Sequence, residues 1–223
     1  MSYIVASIGG WNKNLFSDRA ENLTGEWFFC DNPDSLRDLL NKVQARYIFF
    51  PHWRWVVPKN ILESHECVVF HMTDVPYGRG GSPLQNLIIR GHKTTLLTAL
   101  RMEEGVDTGP VYFKIPFSLH GTAEVIYKRA AELSWDMISE IVKNEPNPAP
   151  QIGEVVEFKR RKPEQSQIPS GLAIEQIYDY IRMLDAPDYP KAFIEKSGYL
   201  FEFTDAALDA GELTANVRIR VKD

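Results

Sequence analysis

Short apolar runs recur along this chain at Tyr3–Ser7, Trp27–Cys30, Tyr47–Phe50 and Cys67–Phe70, each closed by turn-forming or polar residues. None alternates polar with apolar residues, so each reads as a strand covered on both faces. Helical stripes lie between and after them. Asn32 and Pro33 open one helix, with Leu36, Leu39, Leu40 and Val43 on its apolar side. Pro83 opens another through Leu84, Leu87 and Ile88. Gly121 and Thr122 start the longest, carrying Ala123, Ile126, Tyr127, Ala130, Ser134, Met137, Ile138 and Ile141. Two further strands are predicted at Thr95–Arg101 and Val111–Ile115. Strands alternating with helices make an α/β sheet with helices on both faces. Right-handed crossovers gather the carboxyl ends of its parallel strands on one edge, where ligands of such sheets bind.

The segment NEPNPAPQIG interrupts this pattern with three prolines in a polar context. It reads as a linker. The expected organisation is a main domain over residues 1–145, a linker over 146–170 and a small α+β subdomain over 171–223. That subdomain is predicted to hold a helix near Ala173–Met183 and two strands, near Tyr199–Thr204 and Val217–Val221. Cys30 and Cys67 lie in apolar strand runs and read as reduced core residues. MSYIVASIGG lacks the features of a signal peptide, and no run approaches the ~18 apolar residues of a membrane span. A cytoplasmic protein without membrane contact is expected. The net charge of -5 argues against a large nucleic-acid surface. His65, His92 and His120 show no metal-ligand spacing, and no metal is expected.

His71 stands where the run VVF ends. The loop PYGRGGSP follows, with glycines that let backbone approach a ligand. Asp107 lies in a second glycine-flanked loop, RMEEGVDTGP, between two predicted strands. A carboxylate beside an imidazole orients the ring and stabilises its protonated form. His71 and Asp107 are therefore the candidate base and its partner, provided the two loops meet.

FHMTDVPYGRGGSP together with MEEGVDTGPV is similar to the signature of the formyltetrahydrofolate-dependent formyltransferases. That pattern runs Asn-x-His-x-Ser-x-Leu-Pro-x-x-Arg-Gly, with Asp-x-Gly-Pro farther on. His71, Pro76, Arg79, Gly80, Asp107, Gly109 and Pro110 match it. The resemblance implies a Rossmann-like formyltransferase sheet in residues 1–145 and N10-formyltetrahydrofolate as co-substrate. It also implies that FFPHWRWVVP is the folate region, with Phe50, His52, Trp53 and Arg54 on one side of the pocket and Met102 and Val106 on the other. Val69 departs from the pattern, standing where the family carries an asparagine aimed at the formyl oxygen. Asn86, His52 or Thr73 is a substitute donor, or His71 and backbone amides suffice, or activity is weak or absent.

RRKPEQSQI and IYDYIRMLDAPDYPKAF are similar to the segment that sugar-amine formyltransferases carry after the catalytic domain. That likeness implies transfer to the 4-amino group of a nucleotide-linked 4-amino-4,6-dideoxy sugar, of the kind used in surface-polysaccharide or pseudaminic-acid-type pathways. Thr73, Asp74, Tyr77, Arg79, Asn86 and Trp11 are the candidate substrate contacts. Arg79 alternatively holds its own loop, and Asp74 caps a turn. Arg182 and Tyr189 grip a nucleotide or serve the subdomain's structure. The acidic charge and short tail argue against a methionyl-tRNA formyltransferase. Alternatives are an impaired folate- or nucleotide-sugar-binding protein and a formyltetrahydrofolate hydrolase. A homodimer is the default assembly.

Overall fold

The computed structural model describes residues 1–222. The elements run β1 (Ser2–Ser7), α1 (Gly10–Ala20), β2 (Glu26–Cys30), α2 (Pro33–Leu40), β3 (Ala45–His52), α3 (Lys59–Ser64), β4 (Glu66–His71), β5 (Tyr77–Gly80) and α4 (Pro83–Ile89). They continue with β6 (Thr94–Arg101), β7 (Val111–Ser118), α5 (Ala123–Asn144), β8 (Val156–Phe158), α6 (Ile174–Arg182), β9 (Ala192–Lys196), β10 (Tyr199–Asp209) and β11 (Glu212–Val221). The chain forms two compact units. One takes Met1–Gly80, Thr95–Phe117 and Lys128–Glu157; the other takes Gly81–Thr94, Ser118–Tyr127 and the chain from Phe158 onward.

The first unit is built on a six-stranded sheet in the order β2-β1-β3-β4-β6-β7. β2, β1, β3 and β4 are mutually parallel, as the apolar runs imply. Ile4, Val5, Ala6, Ile48, Phe49, Phe50 and Val68 are inaccessible to solvent. At roughly 1.5–3 kcal/mol for each large side chain, this burial fixes the register against slippage. Helix α2 starts as its sequence dictates. Asn32 accepts the Ser35 N–H at 2.9 Å, the Ser35 hydroxyl faces the Asn32 backbone, and Pro33 fills the first turn. The Thr122 hydroxyl accepts the Val125 N–H at 3.4 Å at the start of α5.

One strand departs from the expected parallel arrangement. β6 runs antiparallel to β4, with His71 opposite Thr98 and Val68 opposite Arg101. Asp107 stands in the loop between Arg101 and Val111, as its glycine-flanked sequence implies, and that loop follows a strand antiparallel to β4. Two helices were not expected. In α1 only Asn12 and Ala20 are buried, which leaves no apolar stripe to read, and α3 is six residues long with none buried.

The second unit holds an antiparallel sheet in the order β11-β10-β9. It has one strand more than expected, because β9 is five residues long and directly follows Pro190 and Lys191. Arg182, a nucleotide-gripping candidate, is 4% exposed and donates to the carbonyls of Leu119 at 2.6 Å and Gly121 at 2.9 Å and to Asp179 at 2.6 Å. Tyr189 stacks on Tyr127 at 5.1 Å between ring centroids. Both side chains serve packing within the unit. No helix of the described residues is long and apolar enough to cross a membrane.

Candidate active site

The last residue of β4 places the His71 ring in a buried position, 7% exposed. Its Nε2 lies 2.8 Å from the carbonyl oxygen of Gly78. A carbonyl only accepts, so Nε2 carries the hydrogen in this arrangement. Nδ1, the other ring nitrogen, faces Oδ2 of Asp107 at 3.5 Å. The two distant loops therefore meet, and they bring the imidazole and the carboxylate together. At 3.5 Å the pair is too far apart for a good direct hydrogen bond. An oxygen or nitrogen about 2.8 Å from each atom would complete a triangle.

Asp107 is held from several directions. The Gly80 N–H donates to its Oδ2 at 2.9 Å. Its backbone sits at φ 53°, a left-handed conformation that is uncommon for a residue with a Cβ. Gly109 stands two residues on because nothing larger fits: an added Cβ would lie 1.9 Å from the carbonyl oxygen of Arg101. Gln151 ties the two loops together. Its Nε2 donates to the carbonyls of Asp107 and Gly109, both at 2.8 Å. Its Oε1 accepts from Arg79 Nε at 3.1 Å and Nη2 at 2.8 Å. Sequence reasoning missed Gln151, which stands among the prolines of the segment read as a linker. That segment is strand-like where it counts, since Ala149 and Val111 exchange backbone hydrogen bonds at 2.7 and 2.8 Å.

The other candidates divide. Thr73 is fully buried and donates to the same Gly78 carbonyl at 3.3 Å, while its own carbonyl accepts from the Thr98 hydroxyl at 2.7 Å. Arg79 is engaged by Gln151, so its loop is held through a side-chain amide rather than directly through carbonyls. Asp74 pairs with Lys114 Nζ at 2.5 Å, and that ammonium also donates to the Val75 carbonyl at 2.6 Å. Tyr77 is half-buried, with its N–H on the Asp74 carbonyl at 3.0 Å. Asn86 lies in the second unit, where its Nδ2 donates to the carbonyls of Gly81, Ser82 and Lys159, each at 3.0 Å.

Val69 lies opposite Phe50 on β3 and Leu100 on β6, packed against the core. It offers no hydrogen-bond donor. Of the three side chains considered as its substitutes, Thr73 and Asn86 already direct their donors at carbonyls.

At the end of β3, Phe50 is inaccessible and belongs to the core, with Trp53 and Met102 packed beside the same cluster. Trp53 meets Trp55 edge-on at 4.8 Å, and the Arg54 guanidinium lies 5.3 Å over the Trp55 ring. His52 stacks on Trp11 at 6.1 Å, joining the first turn of α1 to the end of β3. Burial, with a smaller contribution from the charge of Arg54, pushes the His52 imidazole down to about 4. Val106 is 67% exposed. No group of three metal-binding side chains gathers among the described residues.

The family model described as formyl transferase matches residues 30–142, and that described as methionyl-tRNA formyltransferase, C-terminal domain, matches residues 163–220. A methionyl-tRNA formyltransferase from Clostridium thermocellum is 44% identical, with a TM-score of 0.94 and full coverage of both chains. One from Rickettsia rickettsii (strain Iowa) is 34% identical over 121 residues, which cover 52% of this chain and 40% of the relative. The match thus spans well under half the length of that curated relative. A sugar N-formyltransferase from Shewanella sp FDAARGOS_354 shares the fold, with a TM-score of 0.64 at 15% identity and coverage of 100% and 98%.

These likenesses overturn the expectation of a nucleotide-linked amino sugar and the exclusion of nucleic acid. The physical inference failed at two points. Net charge sums the whole surface and says nothing of local patches. The short tail still matches the C-terminal model, so its length did not discriminate. With that model, the formyl transferase model over 30–142 and full-length likeness at 44% identity, the chain belongs to the formyl transferase family.

Proposed function

We propose that this chain transfers the formyl group of N10-formyltetrahydrofolate, the donor its family uses, to the amino group of methionyl-tRNA. The observation that carries the acceptor is the likeness over both full lengths to the Clostridium thermocellum methionyl-tRNA formyltransferase. The pairing of His71 with Asp107 supports the chemistry.

The folate supplies an electrophilic formyl carbon. As the amine attacks it, the formyl oxygen gains negative charge and the nitrogen must lose a proton. With the Nε2 hydrogen on the Gly78 carbonyl, Nδ1 is the nitrogen left to receive a proton. Asp107 Oδ2, 3.5 Å away, stabilises the imidazolium so formed. The charged ring then serves the developing oxyanion, the role for which Val69 has no group. As the tetrahedral intermediate collapses, the ring gives its proton to N10, so that the bond between the formyl carbon and N10 breaks and tetrahydrofolate leaves. Positioned acid–base groups of this kind contribute ~10²–10⁴-fold. Trp53 is partly exposed and Trp55 is exposed, so they leave aromatic surface at the end of β3 that matches a flat ring such as the pteridine.

The test incubates purified protein with formyltetrahydrofolate and methionyl-tRNA. Formylmethionyl-tRNA, resolved by mass spectrometry after release of the amino acid, is the expected product. No formylation of the aminoacyl group under conditions where a known methionyl-tRNA formyltransferase works would overturn the proposal.

A further inference from the structure

The amide of Gln151 makes four hydrogen bonds, the full capacity of two N–H donors and one carbonyl oxygen. All four go to β5 and the loop before β7, the two segments that frame His71. The Nε2 side holds the carbonyls of Asp107 and Gly109, at either end of the Asp-Thr-Gly stretch. The Oε1 side holds Arg79, whose neighbour Gly80 donates its N–H to the Asp107 carboxylate. One flat group therefore sets where the Asp107 main chain sits and where the donor to its carboxylate sits. The paired backbone of Ala149 and Val111 delivers Gln151 to this place, so its position follows from strand register rather than from a free loop.

We propose that Gln151 is the positioning residue of the His71–Asp107 pair, holding the carboxylate at its distance from Nδ1. This rests on the transfer reading above. The physical reason is that Asp107 adopts a left-handed backbone at φ 53°, which an unheld loop has little cause to keep. Release of the Asp107 and Gly109 carbonyls frees the loop to relax and carries the carboxylate away from the ring. Gln151 itself touches no reacting atom in this scheme.

Two substitutions separate the proposal from a general loss of structure. Gln151→Glu keeps an acceptor for Arg79 but cannot donate to the two carbonyls when ionised. Gln151→Met keeps the length and removes every hydrogen bond. Both are expected to lower kcat for formyl transfer by about 10²-fold, the cost of misplacing a reacting group by ~1 Å. KM for the folate should move less than about threefold. The imidazole ¹⁵N resonances of His71 give a readout that does not depend on turnover. Nδ1 should shift in Gln151→Met, while Nε2, held by Gly78, should not.

Wild-type kcat in Gln151→Glu would show that only the Arg79 contact matters and would overturn the proposal. An unmoved Nδ1 resonance in Gln151→Met would do the same. Should Gln151→Met not fold, Gln151→Glu carries both readouts. If wild-type protein forms no formylmethionyl-tRNA, the functional reading falls, and the His71 resonances still decide the role of Gln151.

Discussion

The backbone N–H of Gly80 reaches Oδ2 of Asp107 at 2.9 Å, across 27 residues of sequence. This contact joins the end of β5 to the loop before β7, and it brings two motifs together. Asp107 in turn faces Nδ1 of His71, whose Nε2 is already committed to Gly78. The ring thus has one nitrogen anchored on a carbonyl and one that faces the carboxylate.

Substitution of His71 by Asn removes the nitrogen that faces Asp107 but keeps a polar group at a position that is 7% exposed. Formyl transfer should fall by about 10²–10⁴-fold. Folate binding, followed by calorimetry, should stay within about threefold, since the ring is not expected to bear on the pteridine. Full activity in His71→Asn would remove the imidazole from the mechanism.

Gly109→Ala is expected to damage the site without touching a titratable group. The new Cβ would sit 1.9 Å from the Arg101 carbonyl oxygen, which is backbone and cannot swing aside. The loop must shift, at a cost of about 1–3 kcal/mol. Because Asp107 is two residues away, kcat should fall along with the thermal midpoint. A variant with unchanged midpoint and unchanged kcat would show that the loop accommodates the methyl elsewhere.

The apolar runs were legible because β1, β3 and β4 are buried along most of their length and carry uninterrupted apolar residues. His71 and Asp107 were legible because the first closes a strand ahead of a glycine-rich stretch and the second occupies a glycine-flanked turn. Helix α1 was not, since it buries only Asn12 and Ala20 and so writes no stripe into the sequence. Gln151 was not, because a glutamine between proline and isoleucine carries no local signal; only the register of Ala149 with Val111 reveals it. The acceptor was misread for a different reason. Fold and donor chemistry are shared across these formyltransferases, and total charge is a blunt measure of what a surface binds.

Cys30 and Cys67 should be inert in the folded protein. Burial, aided by Asp31 for Cys30 and by Glu66 for Cys67, pushes both thiols up to about 12. Both belong to the same apolar cluster as Ile48 and Phe50 and are unpaired with each other. At pH 8 a chromogenic disulfide reagent should find no reactive thiol in native protein and two equivalents after unfolding in guanidinium. Rapid reaction of either cysteine before unfolding would contradict the packing around β2 and β4.

Arg182 should be a stability residue of the second unit. Its guanidinium is buried and serves two carbonyls and Asp179. Arg182→Met leaves the two carbonyls unpaired and Asp179 with Lys93 alone, and should cost about 3–5 kcal/mol. Urea denaturation monitors the loss. A change below about 1 kcal/mol would mean that water replaces the guanidinium and that the cluster is less enclosed than it stands here.

His52 makes stability depend on pH in a defined window. Its imidazole is pushed from 6.5 to about 4, first by burial and then by the Arg54 charge. The unfolded chain takes up a proton on this ring near pH 6.5, while the folded chain resists until about 4. Between those values the unfolded state binds more protons, so stability is full above 6.5 and falls as the pH drops toward 4. Because the residue keeps some solvent exposure, the loss should be about 1–2 kcal/mol rather than the full product of the shift. Urea midpoints at pH 7.5 and pH 5 measure it in wild type and in His52→Gln. The difference between the two pH values should shrink in the variant, whose amide does not titrate. An equal pH dependence in both proteins would place the titration elsewhere, and would mean that the ring stacked on Trp11 is open enough to charge in the folded state.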